Sequence, residues 1–136
     1  MDAKLNYYLH DLEKNEIGAP EALVQNLLRQ LDFELPKDYI GIMLEFDGGE
    51  GEVGENSWLC LFPIEDLIPT NKAYKLLMEQ IPDYFLFGKD AADTGYAFHK
   101  FNKTIHSFGL MSNFKTDYIK FCGNSFIEFV EYLYTR

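Results

Sequence analysis

YFLFGKDAADTGYAFHKFNKTIHSFGLM, residues 84–111, carries the strongest β signal in the chain. Three aromatic-rich segments, residues 84–87, 95–101 and 104–111, are separated by Gly88, Asp90, Asp93, Asn102 and Lys103, residue types that favour turns. Connections this short join neighbours that run in opposite directions, so the segments are expected as successive antiparallel strands. Working backwards, WLCLF at 58–62 is a short apolar run closed by Pro63 and reads as a further covered strand. Between them, Pro63 to Leu67 suits a helix start, and residues 71–80 place Ala73, Tyr74, Leu77 and Met78 on one helical face before Pro82. The first fifty residues are helical in pattern. Leu5, Tyr8, Leu9 and Leu12 predict a helix over 3–14. Leu23, Leu27, Leu28 and Leu31 predict a second from Pro20 to about Asp32, and Tyr39, Met43 and Phe46 a third between Pro36 and Gly48-Gly49. At the other end Ser125 and Glu128 form a capping box ahead of Phe129, Val130 and Leu133. The predicted class is α+β: a mostly antiparallel central sheet packed with N-terminal helices and a C-terminal helix.

The chain has 136 residues, 47% of them hydrophobic and 16% aromatic, enough for one core, so residues 1–136 are expected to form a single domain. Trp58, Phe62, Phe85, Phe87, Phe98 and Phe129 are the expected centres of packing. The two cysteines, Cys60 and Cys122, lie in apolar surroundings, WLCLF and IKFCG, and read as small buried hydrophobes in a reducing compartment. The N-terminal segment carries Asp2, Asp11 and Glu13 and lacks a basic leader, and no apolar run approaches membrane-spanning length. A cytoplasmic location and no membrane partner are the expectations.

Twenty-two acids against twelve bases give a formal charge of −10, which opposes affinity for nucleic acid. The charge is unevenly placed. From Asp38 through Asn71 there are eight acids and no Lys or Arg, and residues 1–93 carry −12 while residues 94–136 carry +2. Such a stretch is either a solvated surface or a recognition surface for a basic partner.

Catalytic and metal chemistry finds little support. DGGEGEVGENSW at 47–58 has glycines and acids like a calcium loop, but Glu52 holds the sixth position, where glycine is required, and Trp58 the twelfth, where glutamate is required. His99 and His106 lie on adjacent predicted strands and can approach, yet two ligands do not make a zinc site. No GxSxG, GxxxxGK, GxGxxG or HExxH pattern occurs. Cys60, inside an apolar strand, is a poor nucleophile. The expectation is no enzyme, no cofactor and no metal.

Four segments in fixed order carry a resemblance: LPKDYIGIMLEFDGG at 35–49, WLCLFPIEDLIPTN at 58–71, DYFLFGKDAADTGYAFH at 83–99 and SFIEFVEYL at 125–133. Together they resemble the SUKH superfamily, and more narrowly its SMI/KNR-type branch, which includes yeast cell-wall regulators and many bacterial immunity proteins. Asp47 stands where that pattern has Asn before the paired glycines, and Ala91 to Thr94 replace a glycine-rich turn. The resemblance implies a cytoplasmic, non-catalytic binding protein of α+β fold, commonly one that neutralises a partner toxin such as a nuclease. A regulatory module for an endogenous protein partner is the alternative. With the charge pattern, it places the expected contact with a basic toxin domain near Glu50, Glu52, Glu55, Asp90 and Asp93. Tyr96 is either an aromatic anchor there or a half-buried sheet residue. The chain is expected as a monomer or weak dimer.

Overall fold

A computed structural model of the chain describes residues 2–136. Seven strands lie side by side in chain order: β1 (Leu12–Lys14), β2 (Gly49–Val53), β3 (Ser57–Leu61), β4 (Tyr84–Lys89), β5 (Thr94–His99), β6 (Ile105–Gly109) and β7 (Lys120–Gly123). Every neighbouring pair is antiparallel. Helices α1 (Ala3–Tyr8), α2 (Glu21–Gln30) and α3 (Lys37–Phe46) come from the first third of the chain. Helices α4 (Ile64–Ala73) and α5 (Lys75–Met78) carry the chain from β3 to β4, and α6 (Phe126–Thr135) closes it. The fold is the α+β arrangement expected from the segment order.

One face of the sheet is buried under helices. Alternation along the strands sends Val53, Leu59, Leu61, Phe87, Tyr96, Phe98 and Ile105 into a core that also takes Leu5, Leu27, Tyr39, Phe126 and Phe129 from the helices. Phe87 and Phe98 stack at 4.1 Å, and the Tyr39 ring meets them at 5.7 and 4.9 Å. The opposite face is covered only in part. There Leu77, Met78 and Ile81 pack on Leu86, Ala97 and Phe108, helped by Leu110, Phe114 and Ile119 from the chain between β6 and β7.

Polar side chains staple these layers, and they fall within the quoted motifs. Asp38 Oδ2 accepts from the Ile127 N–H at the first turn of α6. Asp47, in the left-handed region at φ 40° after α3, accepts the Ile64 N–H at the start of α4 with Oδ1. Each carboxylate thereby satisfies an amide that its helix leaves without a partner, next to the positive end of the helix dipole. Asn71 on α4 donates to the Leu86 carbonyl and accepts the Leu86 N–H, completing the edge of β4 below the point where β3 ends.

The structure departs from the expectations at several points, among them the expected helix over 71–80, which is divided between the end of α4 and α5. The helix over 3–14 stops at Tyr8, because residues 12–14 peel away to pair with residues 49–51. The acidic loop is a strand: β2 pairs with β1 on one side and β3 on the other despite its glycines, since ladder pairing outweighs local propensity. Strand β7, spanning KFCG, carried no readable alternation. Trp58 is not a packing centre but is 36% exposed on the uncovered face. In the capping box Ser125 Oγ accepts the Glu128 N–H as expected, but Glu128 reaches the Asn124 N–H rather than that of Ser125. The β2–β3 turn is tight: Gly54 has φ 69°, and a Cβ there would run into the Tyr134 carbonyl oxygen.

Candidate functional site

The uncovered half of the outer sheet face, over β1 to β3, gathers the acids. In β2, Gly51 and Val53 turn inward and are buried, which leaves Glu50 and Glu52 pointing outward. In β3, Leu59 and Leu61 turn inward and leave Trp58 and Cys60 outward. The register sets Glu13 opposite Glu50, Glu50 opposite Cys60, Cys60 opposite Lys89, and Glu52 opposite Trp58. The indole Nε1–H donates to Glu50 Oε2 at 3.1 Å, tying the ring into the carboxylates. Asp11, Glu13, Glu50, Glu52 and Trp58 line a shallow depression of about 430 Å³. A second depression beside it, also about 430 Å³, runs past Glu13, Glu50, Lys14 and Cys60.

The two lysines at the margin turn their hydrogen bonds to the backbone. Lys89 Nζ donates to the Asp90 carbonyl at 2.9 Å, and Lys14 Nζ to the Leu9 carbonyl at 2.7 Å. Burial pushes the Cys60 thiol up, the Glu50 charge pushes it further, and Lys89 only partly opposes them. A thiol held protonated beside carboxylates is not an activated nucleophile.

The remaining expected contacts lie on the hairpin turns. Because β3 and β4 are antiparallel, the β2–β3 and β4–β5 turns sit at the same end of the sheet, so Glu55 and the pair Asp90 and Asp93 share that end. Asp90 is partly committed: its Oδ1 accepts the N–H groups of Ala92 and Thr94 and so shapes the turn. Asp93 and Glu55 are exposed. Tyr96 is not an exposed anchor. It is 3% exposed, points into the core against Phe129 at 4.9 Å, and its phenol is pushed up to about 12 by burial and then by Asp90.

The sequence reading misses four members of this face: Trp58 and Cys60 read as core residues, and Asp11 and Glu13 as helical, whereas Cys60 is only half-buried and faces outward. A three-residue strand is too short to show a period, and one tryptophan in an apolar run does not declare its side. The histidines do approach, with His99 and His106 rings 6.2 Å apart and each edge-on to Tyr84 at 5.1 and 5.2 Å. Among the described residues no group of three or more His, Cys, Asp or Glu is arranged to hold a metal. No described helix is long and apolar enough to cross a membrane.

Comparison with known families adds one match: the model of the SMI1 / KNR4 family (SUKH-1) fits residues 18–132, most of the chain. No curated protein matches the sequence at a significant level.

Proposed function

Because the chain belongs to the SMI1 / KNR4 family (SUKH-1), we propose that it is a non-catalytic cytoplasmic binding protein whose acidic outer face covers the basic cleft of a partner, an immunity protein acting on a toxin enzyme such as a nuclease. The observation that carries this reading is the half-exposed indole of Trp58 set among Glu13, Glu50 and Glu52. A cleft built to hold a polyanion presents Lys and Arg, which a carboxylate surface matches in charge. Tryptophan is the residue type that most often anchors an interface when its ring is covered by the partner. Glu55, Asp90 and Asp93 extend the negative field along the turn end, steering the encounter without having to be buried in it.

The test uses the product of the adjacent coding sequence as the partner and measures association and dissociation separately over a range of salt. Replacing Glu50, Glu52 and Glu55 by Lys lowers the association rate at low salt by about tenfold or more and flattens its salt dependence. Trp58→Ala mainly speeds dissociation. A triple variant that associates as fast as the wild type at every salt concentration refutes the acidic interface.

A further inference from the structure

At the end of the sheet opposite the acidic turns, α4, α5 and the start of β4 enclose a cleft of about 450 Å³. Its floor is apolar, formed by Ile68, Met78, Pro82 and Phe85. Three of the chain's twelve basic residues, Lys72, Lys75 and Lys100, line the same cleft. One lining carboxylate faces them, Glu79, and it is held to Lys75 at 3.7 Å. The Lys72 ammonium has no hydrogen bond or ion pair among the described residues. The Lys100 ammonium lies 5.4 Å from the centre of the Phe33 ring and has no carboxylate partner there. A net-negative chain thus keeps a local positive rim around an apolar hollow, separate from the acidic face.

We propose that this cleft binds a small amphipathic anion, an aliphatic carboxylate whose chain lies on the Ile68, Met78 and Phe85 floor while Lys72 and Lys100 hold its head group. The volume is that of an ordinary small-ligand pocket. Lysine stems can lie along the apolar floor and keep their charged ends at the rim, where a carboxylate shares its oxygens between them. An extended peptide is a poorer occupant, because it binds such sites by adding to a free strand edge. Here β4 has none: β5 pairs with one side, and Asn71 and the Phe62 N–H take the Leu86 and Phe87 backbone on the other.

Decanoate, kept below its micelle concentration, is the probe, titrated into the isotope-labelled full chain and followed by amide chemical shifts. The expected result is saturable one-to-one binding with shifts centred on Ile68, Asn71, Met78, Phe85 and Lys100. The Lys72→Gln, Lys100→Gln double variant weakens it by about tenfold or more, with spectra elsewhere unchanged, and neutral decanol binds more weakly than decanoate. Equal affinity for decanol, shifts centred on another region, unchanged binding in the double variant, or binding confined to an acidic peptide control each overturn the assignment. The acidic-face proposal is independent of this outcome, since the lysines lie outside that face.

Discussion

Asn71→Ala tests the packing of α4 on the sheet. The carboxamide makes three hydrogen bonds: Nδ2 donates to the carbonyls of Leu67 at 2.8 Å and Leu86 at 2.9 Å, and Oδ1 accepts the Leu86 N–H at 2.9 Å. Leu86 is fully buried, so truncation leaves both of its backbone groups without partners in a place water does not readily reach. An unsatisfied buried group costs about 1–3 kcal/mol, which puts the pair at about 2–4 kcal/mol after partial relaxation. For 136 residues the unfolding entropy is about 0.3 kcal/mol/K, so the melting temperature falls by about 7–14 °C. Asn71→Asp keeps an acceptor for the Leu86 N–H but sets its second oxygen against the Leu67 and Leu86 carbonyls, acceptor facing acceptor, so its loss is at least as large as that of Asn71→Ala. Calorimetry and urea unfolding give the values. A decrease of less than about 1 kcal/mol for Asn71→Ala refutes the view that this side chain replaces a missing strand partner.

The Tyr39 hydroxyl is buried without a hydrogen-bond partner among the described residues, and burial followed by the Asp47 charge pushes its ionisation far up. Tyr39→Phe therefore raises stability by about 1 kcal/mol in urea unfolding; a loss of similar size shows that the hydroxyl is satisfied. His106 is held below the ordinary imidazole range by burial and then by His99. The unfolded chain thus takes up its proton first, and as pH falls below about 6.5 the native state loses stability until its own lower pKa is passed. His106→Asn removes that contribution, so the wild type minus variant difference in melting temperature declines with acidification; parallel curves contradict it.

Elements with a local signal are legible in the amino-acid sequence. The aromatic segments between turn residues at 84–111 became β4, β5 and β6, the stripes at 20–46 became α2 and α3, and Ser125 capped α6. These signals survive because period and capping chemistry act over a few residues, wherever the segment ends up. The acids at 50, 52, 55, 90 and 93 were legible as charge, but not as a place. Long-range pairing and packing, by contrast, make residues 12–14 leave a helix to pair with β2, turn a glycine-rich acidic stretch into a strand between two others, and face Trp58 outward while Tyr96 faces in. In a sheet each strand's side is set by its neighbours' register and by which face the helices cover. A shift of one residue would exchange every inward side chain for an outward one, and no local pattern in GEGEV or SWLCL distinguishes the two until the helices have chosen the face they bury.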